Sequence, residues 1–173
     1  MRKLVYILTL GVAIGIVAPA APAAASVQGP TSESAAPSIE LVTGSGTVGM
    51  FGDPTVRVNV FQLQTFTVGQ SVITYPDGTF ILGRATCLFV AGQTAYVTSR
   101  IVFSRGPMAQ PRQMLRGNYV VIGIQADQPG SPGPDLLNFS PGQAGNPGCG
   151  PNGNATPVFP IDRGDFHVFG PLV

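Results

Sequence analysis

Lysine is almost missing from this chain: Lys3 is the only one. Setting aside the first 25 residues, for reasons given below, seven arginines face eight Asp or Glu, and the formal charge passes from +1 to −1. A near-neutral surface without lysine argues against nucleic acid or an anionic membrane as partner, since both attract clustered cations. Histidine is as scarce. His167 stands alone, so a Ser-His-Asp triad or a histidine general base has to use it. No serine occupies a Gly-x-Ser-x-Gly elbow, the strained turn that presents such a nucleophile. One histidine with two cysteines that pair cannot build a usual zinc site, and nothing in the sequence calls for a cofactor. Beyond residue 25, no stretch of ten or more residues repeats its apolar positions at 3.6, the helical period.

What is present begins with an address. Arg2 and Lys3 precede an uncharged apolar run over residues 4–17, and Ala18-Pro-Ala-Ala-Pro-Ala-Ala-Ala25 follows. Charge, apolar run and small residues, in that order, read as a signal peptide with cleavage after Ala25. The run is about 14 residues, short of the roughly 20 needed to span a bilayer, and no cysteine follows it to carry a lipid. The expected product is secreted, with no membrane partner after cleavage. Residues 26–38 are small and polar with two prolines and read as a flexible leader. Residues 39–173 are then expected to form a single β-domain, since the mature chain of about 150 residues suits one core.

Glycine and proline are abundant, 23 and 17 in the whole chain, without a collagen repeat, which implies many turns and long loops. The two cysteines, Cys87 and Cys149, both lie in the exported part, where an even pair defaults to a disulfide. That bond closes a loop of about 62 residues and, on the chain-entropy model, stabilises the fold by about 4 kcal/mol.

Between residues 39 and 127 the period is two. Residues 39–48 read as a first strand, bent near Gly44 and Gly46. In residues 56–63, Val56, Val58 and Val60 point one way while Arg57 and Asn59 point the other, the pattern of a strand with one buried face. Pro76-Asp77-Gly78 is a turn that pairs residues 71–75 with 79–90. A short connection at Ala91-Gly92-Gln93 leads into residues 94–104, giving a second hairpin. Residues 106–117 interrupt the pattern with two prolines and read as a long hairpin loop, and residues 118–126 resume as a central strand. After Asp127 the chain is loop-like over residues 128–157, broken only by Leu136-Leu137-Asn138-Phe139, and residues 163–169 close the domain. Cys87 is expected on the face of Ile81, Ala85 and Phe89. The fold is therefore all-β and antiparallel, about seven or eight strands in a barrel-like meander, with a two-sheet sandwich as the alternative.

Gly44-Ser-Gly46, the run Cys87-Leu-Phe-Val-Ala-Gly92-Gln-Thr-Ala95, and Asp127…Gly133-Pro-Asp135 before a second cysteine resemble a recurrent small exported actinobacterial β-domain. The resemblance covers roughly residues 40–170. It implies a secreted β-domain and carries over no catalytic residue, because such domains have no assigned function.

Four groups are candidates for chemistry. Asp165 and His167 share a strand face, so the carboxylate can orient the imidazole. Asp127 and Asp135 bracket a short loop able to bring two carboxylates together for Ca²⁺, or to cap turns by accepting amide hydrogen bonds. Met108, Arg112, Met114, Leu115 and Arg116 place adaptable apolar groups beside cations on one loop, a mixture suited to binding a protein. Asn138-Phe-Ser140 and Asn154-Ala-Thr156 match the glycosylation sequon of a eukaryotic pathway. The functional expectation is a secreted, non-enzymatic binding or structural module whose partner is an extracellular protein or cell-wall component. The alternatives are a secreted hydrolase relying on His167 and a nearby carboxylate, or a barrel that carries a small ligand.

The cleavage expectation is directly measurable. Intact mass of protein recovered from culture medium should correspond to a chain beginning at Ser26, because Ala23 and Ala25 meet the small-residue requirement of the peptidase. Protein that stays in membranes with residues 1–25 attached would contradict export.

Overall fold

The computed structural model describes residues 38–49, 52–109, 114–127, 133–140, 142–151 and 153–170. The residues 1–25 and 26–37 and the candidate Arg112 lie outside them. Nine antiparallel strands form one sheet: β1 Ile39–Thr47, β2 Thr55–Leu63, β3 Phe66–Thr74, β4 Phe80–Ala91, β5 Thr94–Arg105, β6 Tyr119–Gln125, β7 Leu136–Phe139, β8 Phe159–Pro160 and β9 Arg163–Phe169. Their order is β8-β7-β6-β5-β4-β3-β2-β1-β9. Each strand from β2 to β8 pairs with its predecessor, and β9 returns to pair with β1, so the sheet is a meander curled into a half-barrel. It is a single sheet and not two. Among the described residues the sole helical turn is the 3₁₀ segment Gly153–Ala155.

The nine strands stand against the seven or eight expected, and β3 begins earlier than its alternation indicates. Gln64, with φ of 53°, and Thr65 turn the chain tightly after Leu63, so Phe66 already pairs with Leu63. Phe159–Pro160 adds a two-residue strand on β7. The bend foreseen near Gly44 lies inside a continuous β1. Gly44 has φ of 143°, and a side chain there would run into the main chain of Asp165 and Phe166.

Inward side chains fill the half-barrel. Val56, Val58 and Val60 of β2 are buried, as their alternation predicts, and pack in one cluster with Ile73, Ile81, Leu88, Val97 and Ile122. Phe166 of β9 is 2% exposed and closes the cluster from the far edge.

Along β4 the buried face changes parity. Ile81, Gly83 and Ala85 are buried, then Leu88 and Val90. The cause is a β-bulge: Ala85 faces Ser99 and Cys87 faces Thr98, leaving Thr86 unpaired. An inserted residue in one strand turns every later side chain to the other face. Cys87 is therefore on the outer face, opposite to Ile81 and Ala85, which corrects its expected placement. Phe89 goes outward with it and packs on Tyr96, Val121 and Ala155.

The outward turn gives Cys87 its partner. Residues 142–151 and 153–158 run as a strap over the outer face of β4, β5 and β6. Cys149 in that strap is bonded to Cys87, with Cα atoms 5.6 Å apart, within the range a disulfide spans. The Thr98 hydroxyl donates to the Gly148 carbonyl at 2.8 Å, and Gln143 forms a bridge with Tyr119. Ala155, fully buried, lies on Gly123, where any side chain would collide with the Ala155 carbonyl.

Residues 106–109 and 114–117 form in part a plug. Met114 is 0% exposed and belongs to the core, and Met108 packs against it. The Met114 amide donates to the Ala109 carbonyl at 2.8 Å and the Met108 amide to the Thr79 hydroxyl at 3.0 Å. Met114 is thus not available to a partner, because a thioether buried in the core is worth more there: Met→Ala changes at such positions cost about 2–5 kcal/mol. Leu115, 47% exposed, and Arg116 remain on the surface.

Replacing both Cys87 and Cys149 with serine should lower unfolding free energy by up to about 4 kcal/mol in denaturant titration. Limited proteolysis of that variant should cut first within residues 140–157, because the strap buries few side chains beside Ala155. The strands from β2 to β6 should stay protected. Unchanged stability would show that the strap's hydrogen bonds suffice without the bond.

Candidate functional site

His167 and Asp165 do share the outer face of β9, with Nε2 and Oδ2 3.6 Å apart. Their side chains are 61% and 68% exposed, so solvent screens the pair. No hydroxyl is hydrogen-bonded to His167 among the described residues. The pair is a solvated contact on a strand face.

The two loop carboxylates act on main-chain amides. Asp135 Oδ1 accepts from the Asp127 amide at 2.7 Å, and Oδ2 accepts from the Phe166 amide at 2.7 Å. The Asp135 carbonyl accepts from the Ile161 amide at 2.9 Å. Phe166 belongs to β9, whose outer side no strand covers. Asp135 therefore joins the two ends of the sheet, satisfying an edge amide that another strand would otherwise seek. Hydrogen bonds to a charged acceptor of this kind contribute on the order of 1.5–3 kcal/mol each. Asp127 Oδ2 accepts from the Gly133 amide at 3.3 Å. Among the described residues no three His, Cys, Asp or Glu side chains converge as a metal group.

A larger hollow lies elsewhere, at a gap in the sheet. β3 and β4 pair only from Gln70–Arg84 to Thr74–Phe80, so residues 66–69 diverge from β4 while remaining paired to β2. Side chains supply what the missing pairs would. The Gln62 carboxamide oxygen accepts from the Leu88 amide at 2.9 Å and from the Thr67 hydroxyl at 2.8 Å. Glu40 accepts from the Val90 main chain; burial nevertheless raises its carboxyl above the usual carboxylate range, with that hydrogen bond opposing the rise.

Outside this gap is a cleft of about 800 Å³ whose rim carries Arg84, Arg100 and Arg116 with Thr65, Thr67 and Thr86. Phe66, 66% exposed, forms one wall. A second hollow of about 440 Å³ adjoins it, sharing Phe66, Thr67 and Arg84 and adding Asn59 and Gln70. Among the described residues no carboxylate lines either hollow. Arg84 sits directly opposite Arg100 across β4 and β5, an arrangement in which like charges repel. Among the described residues no acidic side chain pairs with either, since the one ion pair within 4.0 Å is His167–Asp165.

Of the described sequence candidates, only Arg116 lies in this cleft. Arg84 and Arg100 escaped notice because each reads as an ordinary polar residue on a solvated strand face. Counting back from the Ala91–Thr94 pair of the β4–β5 turn would set Arg84 opposite Ile101; the bulge at Thr86 shifts it to Arg100. No protein-family model, curated protein or solved structure matches this chain, so the site's chemistry rests on its own residues.

Proposed function

We propose that this protein is an exported, non-enzymatic binding module that attaches to a polymer of the cell surface through the outer face of β2 and β3 and the adjoining parts of β4 and β5. One observation carries this reading: the strap covers the outer face on β4 to β6, while the neighbouring face is left open as a cleft lined with arginines, hydroxyls and an exposed aromatic ring. Groups of that kind recognise a ligand by hydrogen bonding and charge, and none is a nucleophile with a base beside it. The signal-like first 25 residues and the disulfide support an extracellular location, and among the described residues no helix is long and apolar enough to cross a membrane. The solvated His167–Asp165 pair weighs against a hydrolase. The inward face, packed with residues such as Ile122, Leu137 and Phe166, weighs against a ligand carried inside.

Protein recovered from culture medium and mixed with insoluble cell-wall material should sediment with it, and His167→Ala should sediment to the same extent. No soluble fragments should accumulate with time. Release of fragments that ceases in His167→Ala would establish the hydrolase instead, and protein that stays wholly in the supernatant would overturn the binding reading.

A further inference from the structure

We infer that the cleft takes an acidic oligosaccharide, one whose carboxylate or sulfate lies between Arg84 and Arg100; this rests on the binding reading above and adds the chemistry of the ligand. The starting point is an electrostatic cost. Arg84 and Arg100 are register partners on adjacent strands, both exposed, and Arg116 joins them on the rim of the same cleft. A chain with seven arginines in its exported part gathers three of them here, with no carboxylate between among the described residues. Cross-strand like charges destabilise a sheet, so an anion seated between them converts a repulsion into two charge-assisted hydrogen bonds. The planar guanidinium matches a carboxylate or sulfate with paired donors.

The rest of the surface indicates what the acidic group is attached to. Thr65, Thr67 and Thr86 place hydroxyls around the arginines, and the adjoining hollow offers the amides of Asn59 and Gln70. The Thr67 and Thr86 hydroxyls already donate, to Gln62 and to the Thr98 carbonyl, and so accept from ligand hydroxyls, while Thr65 and the two amides both donate and accept. Phe66 stands at the junction of the two hollows, its ring largely bare, and Phe61 lies in the second. An aromatic face flanked by amides and hydroxyls suits the apolar side of a sugar ring. The two hollows share Phe66, Thr67 and Arg84, so together they form a trough that accommodates more than one sugar unit. The larger lies within the roughly 300–1,000 Å³ usual for ligand sites. A bare phosphate would leave the aromatic and amide groups unused. An anionic membrane would meet a protein whose net charge is −1 without its first 25 residues.

Calorimetric titration of the exported protein with four probes separates the outcomes: trigalacturonate, neutral galactotriose, a sulfated disaccharide and inorganic phosphate. Co-sedimentation with phosphatidylglycerol vesicles adds a fifth. Binding of trigalacturonate or the sulfated disaccharide at least tenfold tighter than galactotriose is expected. Arg84→Gln with Arg100→Gln should weaken it at least tenfold, while thermal melting of that variant is not lowered, since a like-charge pair has been removed. Equal affinity for galactotriose would overturn the acidic ligand yet leave the binding module standing. Phosphate bound as tightly as the acidic sugars, vesicle binding that exceeds them, or no response to either acidic sugar would each overturn the inference. Loss of wall sedimentation in the wild-type protein would instead overturn the reading on which it rests.

Discussion

One inserted residue, Thr86, governs what β4 presents to each side of the sheet. Before it, Ile81 and Ala85 face the core; after it, Leu88 and Val90 do. An unbroken strand would have put Cys87 inward among apolar side chains, where a disulfide to an outer strap has no route. The same insertion shifts the β4–β5 register by one and brings Arg84 opposite Arg100. The disulfide strap and the arginine cleft thus share one cause. Bulges recur beside functional sites because they re-aim side chains without ending a strand.

A curled sheet that is not fully closed has backbone groups to satisfy, and here side chains do so. Gln62 and Glu40 answer the Leu88 and Val90 amides of β4 where β3 turns away. Asp135 answers the Phe166 amide on β9 and fixes the Asp127 amide at the end of β6. Leaving such groups buried and unpaired would cost about 1–3 kcal/mol each. The gap that Gln62 spans from within is the same gap that opens outward as the cleft, so the absence of a few ladder pairs is compensated inside and exposed outside. The outer face is accordingly divided: the strap covers β4 to β6, and the neighbouring face is open to a ligand.

Much of this fold is legible in the residues. Strict alternation at Val56-Arg57-Val58-Asn59-Val60, the Pro76-Asp77-Gly78 turn and the short connection at Ala91-Gly92-Gln93 identify β2 and the two central hairpins, because a half-buried strand and a tight turn each leave a local signature. Phe66–Thr74 was half hidden, since its first residues pair on one side only and leave Phe66 and Val68 exposed. Met114 was misplaced on the surface for the opposite reason: a loop rich in proline conceals a side chain that tertiary packing draws into the core. The candidate site was scarcely legible. It depends on register between strands, and a bulge changes register without changing composition. Asp135 was seen as a turn-capping or metal-binding carboxylate; that it reaches β9, 31 residues away in sequence, follows only from curvature of the sheet.

Because the bulge at Thr86 is the common cause, the most direct test is the register itself. Nuclear Overhauser contacts between backbone protons of β4 and β5 should place Arg84 opposite Arg100 and Ala85 opposite Ser99, then Cys87 opposite Thr98, with Thr86 facing no partner. Contacts that instead set Ala85 opposite Arg100 and Thr86 opposite Ser99 would mean an unbroken strand. The outward cysteine and the paired arginines would then lose their common explanation.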